Sequence, residues 1–108
     1  MIVAYKLRCR VVEIWETEVF ASWFGALRNP EARGRILARI RRLSLGNPGD
    51  VRPVGEGVSE LRIHYGPGYR VYYVRQGHVV YVLLCGGDKG TQSEDIATAK
   101  SLARQLKE

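Results

Sequence analysis

The segment 55–91, GEGVSELRIHYGPGYRVYYVRQGHVVYVLLCGGDKGT, contains the clearest strand and turn patterns of this chain. Two strand-like runs flank the GPG tripeptide at 66–68, and a third apolar run follows the turn dipeptide QG at 76–77. The segment then breaks at GGDK, 86–89. Runs of β-branched and aromatic residues bounded by glycine-rich turns are typical of strands joined by hairpins. The segment therefore predicts a three-stranded antiparallel meander.

The GPG loop fixes which residues of the first hairpin face each other. A three-residue loop at 66–68 places His64 opposite Arg70 and Arg62 opposite Tyr72. Because side chains alternate along a strand, these four residues share one face of the sheet. We expect this face to be open, since two guanidiniums, an imidazole and a phenol suit a phosphodiester better than a core. The other face, which a helix would cover, carries Leu61, Ile63, Tyr65, Tyr69, Val71 and Tyr73.

Helical patterns lie on both sides of the meander. A strand over 9–15 leads into a helix over 18–27, for which Thr17 is the predicted N-cap. An Asn-Pro pair at 29–30 opens a second helix to about residue 45, with an apolar stripe at positions 36, 40 and 43 for the sheet. A polar segment over 47–57 leads into the meander, and a third helix over 93–106 is predicted with Ser93 as its cap. The order β-α-α-β-β-β-α predicts an α+β fold, an antiparallel sheet packed by helices.

The charge balance points to an anionic partner. Seventeen Lys and Arg against eleven Asp and Glu give a net charge of +6, and thirteen of the seventeen are arginine. The planar guanidinium binds phosphate through two parallel hydrogen bonds, so a polyanion or an acidic protein is the natural counterpart. Arg35, Arg39 and Arg42 form a stripe on the second helix, beside its apolar face.

The two cysteines and the hydropathy pattern indicate a cytoplasmic protein. Cys9 and Cys85 lie in apolar runs without metal-ligand spacing, and we expect reduced, buried thiols. No segment approaches the ~20 apolar residues of a membrane span. The start, MIVAYKLR, lacks the features of a signal peptide. We expect no metal, no cofactor and no membrane contact, and we expect His78, at the second turn, to be solvated.

Several strings of the sequence are long and distinctive. LRIHYGPGYRVYY at 61–73, the preceding ARIRRLSLGNPGDVRPVGEGVSE and the later LLCGGDKGTQSEDIATAK at 83–100 resemble the RelE/ParE superfamily of type II toxins, and within it the addiction-module killer proteins related to HigB. The resemblance covers roughly 9–107. It implies a single RelE-like toxin domain over 1–108, with 1–8 as an N-terminal extension and a core of 9–107.

The resemblance also implies a function and partners. Such a toxin is neutralised by a cognate antitoxin, in this branch usually a helix-turn-helix protein, and reaches operator DNA only through that complex. Most RelE and HigB relatives cleave mRNA on the translating ribosome, without a metal ion. Fold alone does not decide the activity. ParE relatives share it and inhibit DNA gyrase without catalysis, and a third alternative is a toxin fold that only binds antitoxin and DNA.

Four residues match the basic positions of RelE-like nucleases. Arg62 and His64 correspond to those of the second strand, Arg70 to the third-strand arginine, and Lys89 to the later basic position. The late catalytic tyrosine of the RelE prototype has no counterpart through residue 108.

Chemical reasoning assigns a role to each of these residues. Metal-free RNA cleavage needs a base for the 2′-hydroxyl, cations for the phosphorane, and help for the leaving 5′-oxygen. Histidine is the side chain whose ordinary pKa lies near neutrality, and His64 is the predicted base. Arg70 would clamp the phosphate with support from Arg62, and Lys89 would assist the leaving group. Tyr72 would stack on a base or orient the phosphate.

Plainer roles stay open beside these. Arg62 could instead pair with Glu60 or with an acidic antitoxin. The stripe of Arg35, Arg39 and Arg42 is either a solvated helix face or a contact for ribosomal RNA, and the family context favours RNA.

Overall fold

The computed structural model describes residues 13–77 and 80–107. The expectations for segment 1–8, for Cys9, for His78 and for the first part of the strand over 9–15 concern residues outside this range. The elements, in chain order, are β1 (Glu13–Glu16), α1 (Glu18–Ala26), α2 (Pro30–Ser44), β2 (Val51–Gly55), β3 (Val58–Ile63), β4 (Tyr69–Gln76), β5 (Val80–Asp88), a 3₁₀ turn (Lys89–Thr91) and α3 (Gln92–Leu106). None of the helices in the described ranges has the length and apolar character needed to cross a bilayer.

The strands form one mixed sheet in the order β1-β5-β4-β3-β2. β1 runs parallel to β5, whereas the other neighbouring strands are antiparallel. The predicted α+β class and the meander are confirmed. The wholly antiparallel sheet is wrong, and the predicted order lacks β2. Pro53 and the nearby glycines are typical of a loop, so no strand was predicted here. Pro53 is exposed in an outer strand, where a missing N–H is tolerated.

Side-chain caps set the first two helices, as predicted. The Thr17 hydroxyl accepts a hydrogen bond from the Phe20 amide at 3.1 Å, and the Asn29 side chain accepts from the amides of Glu31 and Ala32. The prediction of Ser93 as the third cap is wrong. The chain already turns at Asp88, whose side chain accepts from the Gly90 amide, and α3 begins at Gln92.

Helices cover both faces of the sheet. On one face, α1 and α2 pack on β3, β4 and β5, and the predicted apolar stripe of α2 is buried there. The buried residues of this first core are Phe20, Ile36, Ile40, Leu43, Leu61, Ile63, Val71, Tyr73 and Leu83. On the other face, α3 presents alanines, and the second core comprises Val58, Tyr72, Val74, Val82, Leu84, Cys85, Ala99 and Ala103. The face expected to be open is therefore largely covered.

The second core also contains the described cysteine. Cys85 is free and buried, as predicted, and burial raises the pKa of its thiol to about 12. A thiol that stays protonated and inaccessible is inert.

Two glycines let helices approach β5 closely. The sequence predicted a break at 86–89, but β5 continues through Asp88. A Cβ on Gly86 would lie 2.3 Å from the ring of Trp23 in α1, and a Cβ on Gly87 would overlap the Asp95 carboxylate in α3. Glycine is needed here because side chains from both helices occupy the space of a Cβ.

Candidate functional site

The β3–β4 hairpin places two arginines directly opposite each other. Arg62 pairs with Arg70, and Ile63 with Tyr69. The predicted pairing is wrong by two residues, because the loop spans 64–68 and folds through hydrogen bonds that include Tyr65 N–H to the Ile63 carbonyl at 2.9 Å. A shift of two preserves the face on which each side chain lies. Arg62 and Arg70 therefore share a face, as predicted.

A buried carboxylate lies between these two guanidiniums. Glu60 precedes Arg62 by two residues on the same face of β3 and is fully buried. Its Oε2 lies 3.4 Å from Nε of Arg70, and its Oε1 lies 3.8 Å from Nε of Arg62. Neither nitrogen, nor Oε1, has a hydrogen-bond partner, so these contacts are ion pairs. Glu60 thus compensates two adjacent cations mainly through its charge.

Tyr72 and Gln92 complete the surroundings of Glu60. The Tyr72 hydroxyl donates to Oε2 of Glu60 at 3.0 Å, and the Gln92 side-chain amide donates to the same oxygen at 2.8 Å. Burial, followed by this hydrogen bond, raises the pKa of Tyr72 far above its ordinary value. Tyr72 is fully buried beneath α3, so the expectation that it lies on an open face and contacts RNA is wrong.

The expected exposure of Arg70 is also wrong. Its side chain is 7% exposed, and its Nη1 donates to the Gly68 carbonyl at 2.8 Å. Arg70 nevertheless lines a concave pocket of about 500 Å³ at the end of the hairpin, which we call the hairpin pocket. Its lining residues are Arg62, His64, Tyr65, Gly66, Pro67, Gly68, Arg70 and Lys89.

The hairpin pocket brings together the four predicted catalytic residues. Lys89 reaches it because β4 and β5 pair Tyr69 with Asp88, next to the loop. No carboxylate from residues 13–77 or 80–107 lines the pocket. In the same ranges, no group of three or more His, Cys, Asp or Glu side chains could hold a metal ion. A pocket lined by two guanidiniums, an ammonium and an imidazole suits a phosphate group.

His64 has a carboxylate partner that the sequence did not reveal. Its Nε2 lies 2.5 Å from Oδ2 of Asp50, and the imidazole is 71% exposed. The hydrogen bond from His64 lowers the pKa of the Asp50 carboxyl, and the nearby cations Arg62 and Arg39 lower it further. Asp50 therefore stays ionised near neutrality and can fix the orientation and tautomer of the ring.

The three arginines of the predicted stripe on α2 have different roles. Arg39 donates to the carbonyls of Arg62, Pro48 and Asp50, and so ties α2 to β3 and to the turn before β2. Burial, and then the proximity of Arg42, lower the pKa of Arg39. Arg39 therefore has a structural role that neither alternative for the stripe, a solvated helix face or a contact for RNA, included.

Arg35 and Arg42 are both exposed, and Arg35 has partners within the protein. Arg35 pairs with Glu31 at 3.1 Å, and its guanidinium lies 4.6 Å from the centre of the Tyr65 ring. A second concavity of about 330 Å³, the helix pocket, is lined by Arg35, Ala38, Arg39, Arg42, Ile63 and His64. His64 lines both pockets, so they meet at the imidazole.

Comparison with known proteins gives a family match that includes the residues of both pockets. Residues 22–108 match the family described as "Phage derived protein Gp49-like (DUF891)". An "Uncharacterized protein" of Haemophilus influenzae is 50% identical over 95 residues, which cover 88% of this chain and 96% of that relative. The chain therefore belongs to the Gp49-like family of phage-derived proteins, a family of toxin–antitoxin addiction-module killer proteins.

Proposed function

We propose that this protein is the toxin of a type II toxin–antitoxin module and acts as a metal-independent, ribosome-associated mRNA endoribonuclease. The observation that carries the proposal is the convergence of Arg62, His64, Arg70 and Lys89 on the hairpin pocket. Three cations and an imidazole are the groups that in-line cleavage at a phosphodiester requires when no metal takes part.

The proposed reaction begins at His64. Its Nε2 donates to Asp50, so Nδ1 is the nitrogen that takes the proton of the 2′-hydroxyl. The 2′-oxygen then bonds to phosphorus while the bond from phosphorus to the 5′-oxygen breaks. The products are a 2′,3′-cyclic phosphate and a 5′-hydroxyl.

The cations act on the charge that develops. Arg70 and Arg62, placed by Glu60, stabilise the equatorial oxygens of the phosphorane. The Lys89 ammonium, exposed in the 3₁₀ turn, donates a proton to the leaving 5′-oxygen. Tyr72 takes no part in this scheme, because its hydroxyl is buried against Glu60.

The finer family placement and the partners belong to the same proposal. We assign a RelE/ParE-type toxin related to HigB, on the strength of the strings at 61–73 and 83–100. Its partners are then mRNA, the ribosome and a cognate helix-turn-helix antitoxin, through which it reaches operator DNA in the cytoplasm. The net charge of +6 supports an anionic target.

The decisive experiment measures RNA and DNA targets in parallel. Protein released from its antitoxin is incubated with mRNA, with and without translating ribosomes, in the presence of EDTA. We expect cut mRNA ending in a 2′,3′-cyclic phosphate, faster cleavage on ribosomes, no inhibition by EDTA, and protection by the antitoxin. Intact mRNA with blocked DNA supercoiling would assign the protein to the gyrase inhibitors. If neither target is affected, the fold serves binding alone.

A substitution at Asp50 tests the proposed base. Asp50→Asn is expected to lower the cleavage rate at least about tenfold, because the amide no longer fixes the tautomer that leaves Nδ1 free. The melting temperature should change little, since both partners are exposed. The cleavage rates of the variant and the wild type are measured under single-turnover conditions. An unchanged rate would remove Asp50 from the mechanism.

A titration confirms the contact independently of activity. The pKa of the Asp50 carboxyl is depressed by His64, so NMR should show it below the ordinary value and rising toward that value in His64→Ala. Because this pKa is depressed in the folded protein, the contact stabilises the fold above the unfolded-state pKa of about 3.9, and this contribution disappears as the pH falls through the folded-state pKa.

A further inference from the structure

The helix pocket has the surface chemistry of an aromatic-ring site. Ala38 and Ile63 supply apolar surface, and the guanidiniums of Arg35, Arg39 and Arg42 surround it. Planar cations and apolar side chains together complement the face of a nucleobase, which stacks on guanidinium as well as on apolar groups. An inorganic anion would leave the apolar surface unused.

Two of the three guanidiniums have partners within the protein before any ligand arrives. Arg39 is held by three backbone carbonyls, and Arg35 by Glu31 and the ring of Tyr65. A ligand that binds beside Arg39 does not bear the cost of ordering that long side chain. The volume of about 330 Å³ lies within the range of small-ligand sites.

The position of the helix pocket links it to the site of cleavage. His64 lines both concavities, so the two pockets are neighbours at the imidazole. In single-stranded RNA a base is separated from the phosphate of its own nucleotide by one sugar, and unstacked bases are available for such contacts. The adjacent pockets thus match the adjacent parts of one nucleotide.

We infer that the helix pocket is a nucleobase subsite, which binds one unstacked base of the RNA strand whose phosphate occupies the hairpin pocket. This inference rests on the proposed function and deepens it. It gives α2 a role in holding the substrate strand through stacking as well as through charge.

The test uses binding of RNA that cannot be cut. The probes are fluorescent tetranucleotides with 2′-O-methyl riboses, either intact or with a single abasic site at each position in turn, and anisotropy gives the affinity. One abasic position should weaken binding to the wild-type protein about tenfold, the typical effect of losing one stacked base.

Ala38→Leu and Ala97→Leu form a matched pair of variants. Both replace an exposed helical alanine with a good helix former, but Ala38 lines the helix pocket, whereas Ala97 lies on α3, which packs on the opposite face of the sheet. Ala38→Leu should bind the intact probe about tenfold more weakly than the wild type does. Its affinity should not fall further for the probe whose abasic site weakens binding to the wild type. Ala97→Leu should behave as the wild type does.

The outcomes separate this inference from the proposed function. The subsite is wrong, even where mRNA is cut, if every abasic probe binds the wild type as tightly as the intact probe does. It is also wrong if the affinity of Ala38→Leu still falls tenfold for the probe whose abasic site weakens binding to the wild type. If no probe binds and no mRNA is cut, the inference and the proposed function both fail.

Discussion

Glu60→Ala is expected to lower the free energy of unfolding by about 3–5 kcal/mol, the usual result of removing one member of a buried ion pair. The substitution leaves the buried Arg70 without its compensating charge, and leaves the Tyr72 hydroxyl without its acceptor. Urea unfolding followed by circular dichroism measures the change, under the two-state approximation that suits a domain of this size.

Two further variants test whether the effect arises from the charge of Glu60. Glu60→Gln keeps the size of the side chain and should still cost a large part of the stability, because the contacts to Arg62 and Arg70 are ion pairs without hydrogen bonds. Glu16→Ala, an exposed glutamate at the end of β1, should change the stability by less than about 0.5 kcal/mol. A loss below 1 kcal/mol in Glu60→Ala would show that Glu60 does not hold this cluster.

Local patterns in the sequence were sufficient for much of the fold. The caps Thr17 and Asn29, the apolar stripe of α2 and the meander follow from short-range rules, and the structure confirms them. The faces of Arg62 and Arg70 were also predictable despite the wrong register, since an error of two residues does not change the alternation.

The errors lie where tertiary contacts decide. The length of the GPG loop depends on hydrogen bonds within it, and the contact of Asp50 with His64 joins a polar turn to the end of β3. The burial of Tyr72 did have a sequence signal. Four consecutive apolar residues, 71–74, are typical of a strand covered on both faces, so the second layer under α3 could have been predicted.

The burial of Arg70 changes how its catalytic role must be tested. Arg70→Ala is expected to lower the cleavage rate about 100-fold, since a preorganised donor to a developing charge is worth ~3 kcal/mol of transition-state stabilisation. On the open face that the sequence predicted, this substitution would leave the melting temperature nearly unchanged, but loss of the buried ion pair with Glu60 should lower it. Loss of activity in Arg70→Ala alone would therefore not separate catalysis from folding.

Arg70→Lys makes this separation. Lysine keeps a positive charge near Glu60 but loses the planar fork that binds two phosphate oxygens together, so the fold should be largely retained while the rate falls at least about tenfold. Arg52→Ala, at an exposed arginine of β2, controls for the loss of a surface charge and should leave the rate unchanged. Single-turnover cleavage of mRNA on ribosomes, with melting temperatures on the same samples, gives both quantities. Folded Arg70→Lys and Arg70→Ala proteins that cut at the wild-type rate would show that the phosphate does not bind at the hairpin pocket.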